Sequence, residues 1–300
     1  MIQLNEHLQG VGEVSRLGYS ADAPQYIPKQ YLDQKQFILF RTCHSYGDWA
    51  ILSAMPRLLK QKYPDCTVII PSPTCIAKYF SPLQWQNKSE YPFNNVLEIF
   101  TNNPYVDGMV DNIPSGIPIY HDHFRIVDLD NPNTPLVQQM LKYWRFEDSE
   151  MADCQPELYW MEDEIEQGNR IIENVFGKKD FGFLYIDDIF FQTNPEYSGA
   201  PLLRKRQLLQ EEILKHDIDW MYYTHDGLCH YNTISRTYNV KDFEMTLRVQ
   251  NYIKSKAKLI VGHQGGYGTD VMPRYTNCYV VPIGNNINEH FIIGMNYILN

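Results

Sequence analysis

Residues 262–270 read Gly-His-Gln-Gly-Gly-Tyr-Gly-Thr-Asp, with glycine at 262, 265, 266 and 268. Glycine tolerates positive φ and lets a ligand approach the main chain closely. Between a strand and a helix, such a loop offers backbone N–H groups and the positive end of a helix dipole to an anion, typically a phosphate. His263, Gln264, Gly265, Gly266, Tyr267, Gly268 and Thr269 are therefore candidate anion-binding residues. The segment is neither a Walker loop nor a G-x-G-x-x-G fingerprint. A tight turn packing a helix onto a sheet accounts for the same glycines.

Three other groups of residues could do chemistry. Asp48 follows Gly47 at the mouth of a predicted strand, where a carboxylate can act as general base or as the N-cap of the next helix. His44 lies on the same loop, and an imidazole with a pKa of about 6.5 suits proton transfer. Arg204, Lys205 and Arg206 precede a predicted helix and follow a long connection, residues 187–202. They read either as a cationic clamp for a diphosphate or as a solvated helix face. Two His/Asp/Cys groups, His121-Asp122-His123 and His225-Asp226 with Cys229 and His230, lack the spacing of a zinc module. In a strand, His121 and His123 would supply two ligands on one face, so no metal is expected.

The elements needed to position these residues alternate between strand and helix. Residues 36–41 form a short apolar run typical of a buried parallel strand. Residues 49–63 carry apolar positions at helical spacing, and a second strand follows Pro64 and Asp65. That is a strand–helix–strand unit with a right-handed crossover. Further strands or short helices are expected over 94–111 and 117–129, and a helix over 136–146. Near 150–156 the pattern restarts with a helix over 162–176. Strands follow over 181–186, 218–223, 258–262 and 278–284, with helices over 203–216, 241–255 and 287–299. The fold class is α/β, with two doubly wound Rossmann-like domains facing each other across a cleft. The expected parts are an arm over 1–35, domains over 36–155 and 156–286, and a terminal helix over 287–300 that packs back on the first domain. Ligands of such sheets sit beyond the carboxyl ends of the strands, where the loops 42–48 and 262–270 both fall.

The chain has 300 residues, of which 44% are hydrophobic and 21% charged, ordinary for a globular protein. Its net charge of −10 disfavours broad binding to nucleic acid. No apolar run is long enough to span a membrane, and no secretory signal is visible. The six cysteines show no Cys-x-x-Cys spacing. They read as free thiols of a cytoplasmic protein.

In this order the features resemble glycosyltransferase family 9, the heptosyltransferase-like group of the GT-B fold. Gly47 and Asp48, then Pro56 and Leu59, then Tyr63, Pro64 and Asp65, are similar to that family's opening. Residues 102–111 resemble its Asn-Pro-Tyr-Ile-Asp segment, residues 156–172 the start of its second domain, and residues 256–284 its strand, donor loop and strand. The resemblance covers most of residues 37–285 and leaves the first 35 uncovered. It implies inverting transfer of a sugar from a nucleotide-sugar donor to an acceptor hydroxyl on a glycan or related molecule. No cofactor is implied beyond the donor itself, and no metal. Asp48 inherits the role of base, Lys205 with its neighbours Arg204 and Arg206 neutralises the diphosphate, and residues 263–269 bind phosphate and sugar. Two departures stand out. Gln264 replaces the family's donor-contacting Asp, and Thr269 replaces its loop His, which implies a sugar other than the standard heptose. Two further readings remain open: a transferase acting on a hydroxylated DNA base, and a non-catalytic nucleotide-sugar-binding module. A sugar-nucleotide epimerase shares the architecture but normally uses several cleft carboxylates and histidines.

Overall fold

The structure, a computed structural model, describes residues 35–39, 46–79, 94–112, 119–120, 138, 141–142, 145–186, 200–224, 236–265, 269–282 and 294–298. The chain divides into two compact units between Tyr159 and Trp160.

The first unit is built on strands β1 (Gln36–Leu39), β2 (Thr67–Pro71), β3 (Gly108–Val110) and β4 (Ile119–Tyr120). They pair in parallel in the order β3-β2-β1-β4. Helices α1 (Tyr46–Ile51) and α2 (Met55–Lys62) connect β1 to β2, and α3 (Pro73–Tyr79) and α4 (Asn95–Phe100) follow β2. Phe37, Ile38 and Leu39 are fully buried, as are Trp49 and Leu52 of the segment that follows. Two polar devices hold this unit together. The Asp107 carboxylate accepts the Val68 N–H at 2.7 Å, while the Asp107 N–H donates to the Val68 carbonyl at 2.8 Å. Lys60 Nζ joins them, at 2.8 Å from Asp107 Oδ1 and 2.7 Å from the Cys66 carbonyl. Asp107, the last residue of Asn-Pro-Tyr-Val-Asp, thus staples the start of β3 onto β2. The second device is a buried ion pair. Arg57 Nε donates to both Glu157 oxygens, at 2.9 and 3.1 Å, and Arg57 Nη2 donates to the Asp153 carbonyl at 2.7 Å.

The second unit contains helix α5 (Glu162–Phe176), strands β5 (Phe181–Ile186), β6 (Asp219–Thr224), β7 (Thr237–Asn239), β8 (Leu259–His263), β9 (Asn277–Val281) and β10 (Met295–Tyr297), and helices α6 (Ala200–Ile213) and α7 (Leu247–Lys256). The strands are all parallel and run β10-β9-β8-β5-β6-β7. With β5 counted first, this is the doubly wound dinucleotide-binding order, and the order reverses between β5 and β8. Every residue of β5 is buried, because helices cover both faces. One face carries Leu184, Ile186, Trp220, Tyr222, Leu259, Val261 and Val281 against Leu208, Leu209 and Ile213 of α6. On the other, the Lys254 ammonium of α7 lies 5.1 Å from the Phe183 ring centroid and 5.4 Å from that of Tyr185. Arg248 of α7 grips Glu164 of α5 through Nε at 2.6 Å and Nη2 at 2.9 Å, both side chains being buried.

The structure departs from the sequence reading in five places. The helix expected over 241–255 begins only at Leu247, where the Thr246 hydroxyl caps it by accepting the Val249 N–H, and the strand β7 and a 3-10 turn over Val240–Asp242 precede it. The helix expected over 49–63 is two, interrupted at Leu52–Ala54. Pro56 has no N–H to continue the ladder, and the Ser53 hydroxyl donates to the Ala50 carbonyl at 2.6 Å while accepting the Glu157 N–H at 2.8 Å. The helix expected over 287–299 is contradicted where it is described. Met295–Tyr297 form the edge strand β10, begun by Gly294 at φ 88°, a conformation that breaks a helix. The glycine-rich loop does not open a helix: residues 269–275 are turns, and Pro273 falls among them. Arg204, Lys205 and Arg206 lie inside α6 rather than before it. Among the cysteines, Cys66, Cys75, Cys154 and Cys278 are free and buried; Cys43 and Cys229 lie outside the described residues, as do His121–His123 and His225–His230.

Lys254 gives this fold a measurable signature. It is fully buried, its Nζ donates to Asn251 Oδ1 at 3.1 Å, and burial pulls its pKa from 10.5 to about 7. Between those values the unfolded chain holds more protons on this group than the folded one, so its contribution to stability rises with pH. Wild type should gain stability relative to Lys254→Met from pH 7 to pH 10, by about 1.4 kcal/mol per pH unit at the steepest. Urea unfolding of both proteins across that range checks it.

Candidate functional site

Sheet register brings four side chains to one row at the carboxyl edge of the second sheet. Thr224 pairs with Ile186, and His263 pairs with Val281. Gly262 pairs with Tyr185, which sets His263 beside Ile186. The row Thr224–Ile186–His263–Val281 therefore crosses the point where strand order reverses, on the face covered by α6. Gly262 is required there by close backbone approach. A Cβ at this position would lie 2.1 Å from the Tyr185 carbonyl oxygen.

Helix α6 brings the cations. Consecutive residues are about 100° apart around a helix, so the basic triplet separates. Arg204 is exposed, with Nη1 3.7 Å from Glu211 Oε1. Arg206 is half-buried, and Lys205 turns inward, where its Nζ donates to the Pro282 carbonyl at 3.0 Å. Burial lowers the Lys205 pKa to about 8. His263 is fully buried, and its pKa falls to about 3, first through burial and then through the positive charges of Lys205 and Arg206. At neutral pH the imidazole is uncharged and the local positive charge belongs to the two cations.

The loop after β8 is internally bonded at both ends. The Gln264 N–H donates to the Val281 carbonyl at 3.0 Å. Thr269, fully buried, accepts the Gly265 N–H on its hydroxyl at 3.0 Å and lies 3.2 Å from the His263 carbonyl, to which it donates. The Thr269 N–H donates to the Gly265 carbonyl at 2.9 Å, and the Asp270 N–H to the same oxygen at 3.3 Å. The amides of Gln264, Gly265, Thr269 and Asp270 are therefore already used, and with no helix behind them the expected dipole is absent. Gly266, Tyr267 and Gly268 lie outside the described residues.

The structure thus gathers Lys205, Arg206, His263, Gln264, Gly265 and Thr269 around the ends of β8 and β9 and leaves Arg204 on the surface. In the first unit Asp48 is the third residue of α1, inside the first turn rather than at its N-cap. His44 lies outside the described residues. Sequence reasoning missed Thr224. Its hydroxyl is buried at the end of β6 with no hydrogen-bond partner among the described residues; the signal for it is a polar residue closing the strand. The Pro282 carbonyl that holds Lys205 has no sequence signal. No group of three or more His, Cys, Asp or Glu able to hold a metal occurs among the described residues. Nor is any helix among them long and apolar enough to cross a membrane.

Gly262→Ala places a methyl against backbone that cannot retreat. The expected loss is about 3 kcal/mol or more, at the upper end of overpacking costs, read as a fall in the midpoint of urea unfolding.

No protein-family profile matches the chain. No curated protein matches it in sequence. Solved structures do match in shape. A family 9 glycosyltransferase of Veillonella parvula DSM 2008 superposes with a TM-score of 0.54 at 8% identity, over 88% of this chain and 86% of that one. The ADP-heptose LPS heptosyltransferase II of E. coli gives 0.49 at 13% identity, over 87% and 90%. The chain is thus similar in fold, over most of its length, to a glycosyltransferase of family 9.

Proposed function

We propose that the protein is a glycosyltransferase of the GT-B type that moves a sugar from a nucleotide-sugar donor to an acceptor hydroxyl with inversion. The observation that carries this reading is the buried Lys205 ammonium, with Arg206 beside it in sequence, held at the carboxyl end of β9, one strand from β8, where the order of a dinucleotide-type sheet reverses. An anion brought to that place gains charge-assisted hydrogen bonds in a region of low dielectric. The fold likeness to a family 9 glycosyltransferase supports the same reading.

In this mechanism Lys205 and Arg206 neutralise the donor diphosphate and stabilise the charge that builds on it as the anomeric C–O bond breaks. The acceptor oxygen forms the new bond to the anomeric carbon. Its proton passes to the Asp48 carboxylate, and the nucleoside diphosphate leaves. The loop from His263 to Thr269 lies against the phosphates and the sugar. The acceptor is a glycan or another small hydroxyl compound. The protein works in the cytoplasm and needs no metal.

One observation favours a second reading. Gln264 and Thr269, which stand where the family carries donor-contacting Asp and His, are buried and bonded to main chain or to Tyr297. A binding module without transfer activity fits them too. A panel of nucleotide sugars separates the two by release of nucleoside diphosphate: turnover supports the transferase, and binding without turnover supports the module.

Two variants test the assigned roles. Asp48→Asn should keep donor affinity within about threefold while transfer falls roughly 100-fold or more, the usual range for a lost general base; near-normal transfer removes Asp48 from the mechanism. Lys205→Met should weaken nucleoside diphosphate binding by about 10-fold or more, the loss of one charge-assisted hydrogen bond, as read by calorimetry at pH 7.

A further inference from the structure

Helix α1 has six residues, fewer than the roughly 12 that an isolated helix needs to hold its shape in water. Its direction is therefore set by what it touches. The Asp48 backbone occupies its third position. One residue on, the buried Trp49 ring meets Phe100 of α4 edge-on, with centroids 6.3 Å apart. Just past the end of α1, the Ser53 hydroxyl makes two bonds at once. It donates to the Ala50 carbonyl at 2.6 Å and accepts the Glu157 N–H at 2.8 Å. Ser53 is fully buried, so both bonds are sheltered from water.

Glu157 is a firm post for that second bond. Arg57 of α2 holds both of its carboxylate oxygens, at 2.9 and 3.1 Å, and the Tyr159 hydroxyl donates to one of them at 2.8 Å. Arg57 also donates to the Asp153 carbonyl at 2.7 Å. The Ser53 hydroxyl thus joins the helix that carries Asp48 to a segment anchored independently of it.

We propose that Ser53 is a positioning residue, whose hydroxyl fixes α1, and with it the Asp48 backbone, for removal of the acceptor proton. The inference rests on reading Asp48 as the base. Ala50 lies two residues beyond Asp48, a rise of about 3 Å, so a shift of its carbonyl passes to Asp48 almost undiminished. Misplacing a reacting group by about 1 Å can slow a reaction about 100-fold. Without the hydroxyl the buried Glu157 N–H loses this partner, and the bond that joins α1 to residue 157 is gone. Ser53 does not touch substrate in this account; it acts through Asp48.

The test is a double-mutant cycle of Ser53→Ala and Asp48→Asn. Release of nucleoside diphosphate is followed from ADP-glucose, UDP-glucose, GDP-mannose and CDP-glucose with water as acceptor, alongside exchange of the Glu157 amide. Wild type should turn over at least one donor, and its Glu157 amide should exchange slowly. Ser53→Ala should lower kcat at least fivefold and keep the donor KM within threefold, because the donor diphosphate is assigned to Lys205 and Arg206. In the Asp48→Asn background the same change should slow release less than threefold further, a result that general loosening of the fold would not give. Turnover of none of the four donors by wild type, or near-normal turnover by Asp48→Asn, overturns the base reading and the inference with it. A smaller fall in kcat for Ser53→Ala, a larger change in its donor KM, a further loss of threefold or more in the double variant, or fast Glu157 exchange in wild type overturns the inference alone. If Ser53→Ala does not fold, Ser53→Cys, which keeps the size and accepts an N–H only weakly, takes its place under the same limits.

Discussion

The second unit is organised around one electrostatic constraint. A lysine ammonium at the end of β9 is withdrawn from water and held by a main-chain carbonyl, so its charged form is less favoured than in solution. The neighbouring groups fit that constraint. His263, its pKa lowered by burial and by the charges of Lys205 and Arg206, stays neutral beside it. Gly262 lets β8 approach β5 closely enough to set His263 next to Ile186. In the proposed function an incoming diphosphate would restore the charge stabilisation that burial takes from this lysine.

In the first unit, polar side chains serve the scaffold. Asp107, Lys60 and the Val68 backbone bond to one another, and Arg57, Glu157 and Ser53 do likewise. Their chemistry is consumed in holding β3 to β2 and residues 153–157 to α2. The backbone of Asp48 sits in the first turn of the helix that follows β1.

Much of the framework was legible in the sequence, because buried parallel strands are continuous apolar runs. Phe181–Ile186 reads directly as β5, and Glu162–Phe176, with its acidic first turn, as α5. The losses have physical causes. The end of the chain shows apolar spacing suited to a helix, yet Gly294 and pairing with β9 make Met295–Tyr297 a strand. Within the site, the sequence showed a glycine-rich loop but not its internal bonds, since nothing in residue spacing says that Thr269 closes back on Gly265 and His263. The basic triplet looked like one feature; helix geometry makes Lys205 an inward cation, Arg206 its half-buried neighbour and Arg204 a surface residue.

The proposed function rests on Lys205, a buried cation, neutralising the donor diphosphate. An NMR titration of its ζ-amine, in protein with isotope-labelled lysine, measures this directly, with and without a saturating nucleoside diphosphate. The expected pKa is near 8 in the free protein, with a clear rise when the nucleotide binds. A value of about 10.4, that of a solvated lysine, or one that does not move on binding, would contradict it.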